Sequence, residues 1–218
     1  MFNSKPSRRT FVTHLAALVG ASVMLPDTSR AGSLSAGATA PGDEPEPWLL
    51  ALTGKHRTLF HSHDKWSKGL DYATRFKLAY PVEYGVKPED ANSVLAAHGK
   101  TGLITYNDAA WDKYGFAKEF DVTDPATKKQ ATRNIFINGD KDNPGVREAF
   151  AAGVVILSCR TMLRGMAEGL ADQKKWGDAK QIERDLTASL LPGVILVPAM
   201  MIAIGRAQEH GCTYLFTG

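Results

Sequence analysis

Between residues 153 and 165 the chain reads GVVILSCRTMLRG. An apolar run of Val154, Val155, Ile156 and Leu157 ends in Ser158 and Cys159 and passes straight into a segment with Met162, Leu163 and Met166 on one side. A short run that is apolar at every position reads as a strand buried on both faces, the kind found in parallel sheets covered by helices. Residues 193–209 repeat the grammar, with Val194, Ile195, Leu196 and Val197 as the run, Pro198 near the first helical position and a long apolar-faced helix behind it. A chain with two such units is expected to build a parallel sheet, and to present Cys159 at its carboxyl edge.

The other elements are expected to fit around these two. Residues 56–62, centred on Leu59 and Phe60, read as a first strand, and 64–80 as a helix with Leu70, Ala73, Phe76 and Tyr80 on one face, stopped by Pro81. A second strand, 93–97, ends at His98-Gly99 and leads to a helix over 103–110, followed by an aromatic patch of Trp111, Tyr114 and Phe116. Residues 120–143 are polar and turn-rich, anchored by Ile135, Phe136 and Ile137, and read as a functional loop or partner contact. A helix over 144–152, the strand 154–158 and a helix over 160–171 come next. The strand 194–197, a helix over 199–209 with Met200, Met201, Ile204 and Ala207 inward, and a closing strand at 212–216 complete the chain. The expected class is α/β: a single-domain open sheet of about five mainly parallel strands with helices on both faces.

At 218 residues and 44% hydrophobic, the chain is long enough for one substantial core. Its start reads as a targeting segment. Arg8 and Arg9 directly precede an apolar stretch over 11–25, and Ser29 and Ala31 occupy the minus-three and minus-one positions of a cleavage site. Residues 1–31 are therefore expected to be a twin-arginine signal peptide that exports a folded protein to the periplasm. Residues 32–47, rich in Ala, Gly, Ser and Pro, form a flexible leader, and 48–218 the folded domain. Lys5, Arg8, Arg9 and Arg30 against Asp27 carry a net +3, the formal charge of the whole chain, so the mature protein is near neutral. A nucleic-acid partner is not expected, nor a stable membrane anchor after cleavage.

Cys159 is the first candidate for chemistry. It falls beyond the carboxyl end of a strand, where sites of open α/β sheets lie, and the following helix offers its free N–H groups. Arg160 and Arg164 are close enough in sequence to add positive charge, and all three effects favour thiolate; the competing reading is a buried cysteine serving as a small apolar residue. His98 occupies the matching end of the second strand and could handle a proton or serve structurally. Cys159 closes one strand whereas Cys212 opens another, so in a parallel sheet they sit at opposite ends and remain free thiols. His56, His61 and His63 form a local cluster; His61 and His63 share one side of an extended strand end and could chelate a metal with His98 or Asp64, although a solvated cluster is the default. Met162, Met166, Met200 and Met201 read as core residues. No haem-attachment motif, nucleophile elbow or dinucleotide fingerprint occurs, and neither a cofactor nor a metal is assigned.

From about residue 56 to 216 the sequence resembles the DsrE/DsrF-like, or YchN-like, family associated with sulfur relay, and its exported members more than the cytoplasmic carriers. The resemblance rests on the strand ending in His98-Gly99, on residues 121–136 with Arg133-Asn134-Ile135-Phe136, on 154–165 around Cys159, and on Leu190-Leu191-Pro192-Gly193-Val194 through Gly211-Cys212-Thr213-Tyr214. It implies a compact α/β fold, association as trimers or hexamers, and a persulfide carried on Cys159. Two functions are expected to compete: a periplasmic thiol protein that accepts or relays sulfane sulfur between donor and acceptor proteins, with His98, Arg160 and Arg164 assisting, and a non-catalytic oligomeric module that binds a small ligand, metal or cofactor.

Overall fold

Five strands, β1 (His56–Ser62), β2 (Ala91–Ala97), β3 (Val155–Cys159), β4 (Ile195–Val197) and β5 (Thr213–Phe216), pair in the order β4-β3-β2-β1-β5, every neighbour parallel. They belong to a computed structural model that describes residues 45–64, 68–119, 121–140, 142–173 and 175–218. The expected signal peptide and the leader up to residue 44 lie outside the described residues. The helices in chain order are α1 (Pro47–Leu50), α2 (Lys68–Tyr84), α3 (Asp108–Tyr114), α4 (Phe116–Glu119), α5 (Val146–Ala152), α6 (Arg160–Asp172), α7 (Ala179–Ala188) and α8 (Met200–Glu209). The protein is thus a single α/β domain with a parallel sheet between helices.

Alternation along the strands assigns the core. Leu59, Val94, Ala96 and Leu157 point to the face covered by α1 and α8, where Trp48, Leu49, Ala203 and Ile204 meet them. Phe60, Leu95 and Ile156 point the other way, onto Leu70 and Ala73 of α2 and Val146 and Ala149 of α5. Both faces are dry, which is why these strands read as continuous apolar runs. A third cluster joins α3, α4, α6 and α7 through Trp111, Phe116, Leu163 and Leu186. Gly153 ends α5 at φ 84°, a left-handed turn that glycine adopts at little cost and that drops the chain directly into β3.

Three expectations need correction. The second helix does not stop at Pro81 but runs through it to Tyr84. Proline there removes one helical hydrogen bond, while Val86 N–H donates to the Pro81 carbonyl and the rings of Tyr80 and Tyr84 stack at 4.6 Å across the gap. The helix expected over 103–110 is two elements, a 3₁₀ segment Gly99–Thr105 and then α3, because the Asn107 side chain accepts from Ala110 N–H and starts a new helix. Met201 is not in the core: it is 64% exposed, whereas Met200 beside it is buried, so the apolar face of α8 is narrower than the sequence implied.

The long segment after α4 is tied down by one buried side chain. Asn134, 1% exposed, donates from Nδ2 to the carbonyls of Ile104 (2.8 Å) and Tyr106 (2.6 Å), and its Oδ1 accepts from Phe136 N–H (3.0 Å). Its own N–H donates to Asp108 Oδ1 at 2.9 Å. Replacing Asn134 by alanine strands two buried carbonyls and one N–H, a loss of about 3 kcal/mol once their desolvation is counted. Urea unfolding of Asn134→Ala is expected to show that loss; a change below about 1 kcal/mol would mean that water takes over the contacts.

Candidate functional site

Parallel register aligns the carboxyl ends of the strands. Ser62 pairs with Ala97 and Ala97 with Ser158, so the next positions, His63, His98 and Cys159, stand in one row above the sheet. One row below on the same face are His61, Ala96 and Leu157, with Phe216 of β5 opposite His61. The apolar strand cores fix this arrangement, since a slip of one residue would turn Leu59, Val94 and Leu157 out of their cluster.

Cys159 is the last residue of β3 and also the N-cap of α6. Its Sγ accepts from Met162 N–H at 3.5 Å and from Met200 N–H at 3.4 Å, so the N-termini of α6 and α8 converge on one sulfur. They can do so because the chain leaves β3 toward one face of the sheet and β4 toward the other. Burial pushes the thiol's pKa up; the hydrogen bond with His98, the two backbone donors and the charge of His98 outweigh it and bring the value down from 9.0 to about 7. Cys212 is the opposite case: burial raises it, and only Arg57 works against that. Both cysteines are free and buried.

His98 is held by its neighbours. Its Nδ1 lies 3.3 Å from His61 Nε2, and His61 Nδ1 lies 2.9 Å from the hydroxyl of Tyr214. His63 meets the His98 ring edge-on at 5.0 Å and pairs with Asp64 at 2.9 Å. Gly99, at φ 51°, turns the chain immediately behind His98 and leaves space for the His63 ring, which an added Cβ would strike. Burial, then the charges of His98 and His63, lower the pKa of His61 from 6.5 to about 4, so at neutral pH it is an uncharged imidazole.

The structure brings Cys159 and His98 together, and it does not bring the two arginines to the sulfur. Arg164 pairs with Glu183 at 3.4 Å, and Arg160 lines a shallow groove with Lys180, Glu183 and Arg184 of α7. Activation of the thiol falls to His98 and to backbone N–H groups. Among the described residues no group of three or more His, Cys, Asp or Glu side chains is placed to hold a metal ion. His56 stands apart from His61 and His63, against Tyr80 at 5.0 Å, and His210 is the C-cap residue of α8. Tyr214 was not foreseen, and the sequence brings His61 and His98 together only as possible metal ligands; His61 pairs with Ala96, two residues before His98, so both share a face, which is readable only once the register of β1 and β2 is known.

A cleft of about 450 Å³ opens next to Met162, lined also by Leu103, Phe116 and Met166 with His63 and Lys100 at its polar end. Met162 belongs to both regions: its N–H binds Sγ and its side chain forms cleft wall. The fold and this site define a parallel α/β protein with an activated, covered cysteine paired to histidine at the sheet's carboxyl edge. No protein-family model matches the chain, and no curated protein or solved structure matches it.

Two pH effects follow. In a Cys212→Ser background the thiolate absorbance of Cys159 is expected to titrate near 7, and in His98→Gln to move toward the ordinary 9.0; an unchanged midpoint would remove His98 from the thiol's environment. For His61 the folded value lies below the unfolded one, so between about 4 and 6.5 the unfolded chain binds the extra proton. Its contribution to stability is complete above 6.5 and is lost as pH falls through that window, at most about 3 kcal/mol. Urea unfolding at pH values across the window is expected to show a steeper decline in the native protein than in His61→Gln; equal slopes would contradict the depressed value.

Proposed function

We propose that the protein is a thiol protein that accepts and hands on sulfane sulfur at Cys159, as an exported member of the DsrE/DsrF-like family. The observation that carries this reading is the convergence of His98 and two backbone N–H groups on one sulfur, which favours thiolate near neutral pH. The thiolate attacks the outer sulfur of a persulfide R–S–SH; a new S–S bond forms to Cys159, the donor's S–S bond breaks, and R–S⁻ leaves. His98, protonated by the Cys159 thiol beforehand, is placed to return a proton to the leaving thiolate. No oxidant is consumed, because sulfane sulfur moves from one thiolate to another.

Cys159 is 2% exposed, which favours a small donor such as inorganic polysulfide, or one that reaches the sulfur past the unbranched Met162 side chain. The remaining expectations belong to the same proposal: export by the twin-arginine pathway, a periplasmic site of action, and association with further copies or with a sulfur donor or acceptor protein. An exposed edge strand, β5, with Leu215 at 47% and Phe216 at 60% exposure, supports the oligomeric part. Among the described residues no helix is long and apolar enough to cross a membrane. The cleft favours a second reading, a module that binds a small apolar ligand there without sulfur chemistry.

Intact and peptide mass spectrometry without reductant, after incubation with inorganic polysulfide, separates the two. One added sulfur atom on Cys159, absent in Cys159→Ala and absent from Cys212, is the expected result. A folded protein that gains no sulfur would leave the ligand module as the better account.

A further inference from the structure

Beyond the pair of Cys159 and His98, the site contains a buried polar chain that a covered thiol alone would not require. His61 lies on the same face of the sheet, one row below His98, and is itself 7% exposed. Its two ring nitrogens are both engaged: Nε2 at 3.3 Å from His98 Nδ1, Nδ1 at 2.9 Å from Tyr214 Oη. Phe216 packs on the His61 ring at 5.3 Å and holds its plane, while Tyr214, 36% exposed, opens to solvent at the sheet edge.

We propose that His61 is a positioning residue for the thiolate, accepting the Nδ1–H of His98 at its Nε2 and donating its own Nδ1–H to Tyr214, so that His98 Nε2 faces the sulfur. This rests on the reading of Cys159 as a thiolate. When the thiol gives its proton to His98 Nε2, the imidazolium carries N–H on both nitrogens, and the Nδ1–H needs a buried acceptor. A neutral imidazole at the His61 position supplies one. It takes the place that a carboxylate or amide side chain holds behind other nucleophile-activating histidines, without adding a negative charge beside the thiolate. The depressed pKa of His61 agrees with that neutral form.

Every titratable group facing the chain is consistent with it. From the end of β1, His63 contacts the His98 ring and is paired with Asp64. From β5 comes Tyr214, and from β3 Cys159. Tyr106, fully buried beside β3, has its hydroxyl pushed to high pKa by burial and stays protonated. Helices α6 and α8 bring backbone N–H groups to the sulfur, not charges, and Lys100 stands at the neighbouring cleft.

The test is the pH profile of Cys159 thiolate absorbance in the folded Cys212→Ser protein. His61→Ala is expected to lower the thiolate fraction near neutral pH about tenfold, His61→Gln to restore most of it through its side-chain carbonyl, and Tyr214→Phe to fall between. A parent protein titrating near 9 would remove the thiolate reading and this inference with it. A parent titrating near 7 with His61→Ala unchanged would overturn the role of His61 while leaving the thiolate reading intact. Should His61→Ala fail to fold, the imidazole ¹⁵N shifts of the unsubstituted protein at about pH 8 decide: His61 protonated on Nδ1 supports the proposal, and protonation on Nε2 overturns it.

Discussion

Everything distinctive about this molecule depends on two helix N-termini and one imidazole meeting at the same sulfur. A thiolate buried without partners would cost far more than the fold could spare, and here burial alone drives the Cys159 pKa upward. The compensation comes from structure that the sheet already contains. Reversal of crossover direction after β4 sends α6 and α8 to different layers, and both begin within reach of the residue that ends β3. The contrast with Cys212 makes the point, since a thiol of similar exposure without such partners is pushed the other way.

A constellation of this kind tolerates little looseness, and the surrounding elements limit it. The 3₁₀ segment behind His98 is fully buried from Thr101 to Thr105, and its carbonyls are gripped by Asn134 from the long connection before α5. That connection is, from its sequence, a candidate functional loop or partner contact. It also serves as a brace: Asn134 links the strand-end segment to α3 through Asp108, and Phe136 packs against both neighbouring core clusters. The segment behind His98 is therefore braced by a residue 30 positions further along the chain than the Ile104 carbonyl it binds.

How much of this was legible follows from the range of the forces involved. Burial on both faces leaves apolar runs, so β1, β3 and β4 could be placed to within a residue or two and the parallel class inferred from them. Cys159 at a strand end was legible for the same reason. Arg160 and Arg164 were misjudged because nearness in sequence is not nearness on a helix: α6 turns both toward α7. A helix end misled at Pro81, where one lost backbone hydrogen bond does not stop the helix and the rings of Tyr80 and Tyr84 stack across the gap. The chain through His61 and Tyr214 joins residues 153 positions apart and leaves no local trace.

The two readings of function meet at Met162. The sulfur's backbone donors come from two methionines in unlike settings: Met200 is sealed in the core at 1% exposure, whereas Met162 is partly buried and forms wall of the cleft. The Met162 side chain is an unbranched, flexible thioether. Gly102 makes that thioether's place, since a Cβ there would collide with the Met162 sulfur and methyl. The cleft and the thiol thus share Met162, whose backbone N–H binds Sγ and whose side chain lines the cleft. A ligand in the cleft would lie against the residue whose N–H holds the sulfur, so both readings bear on this one position of α6.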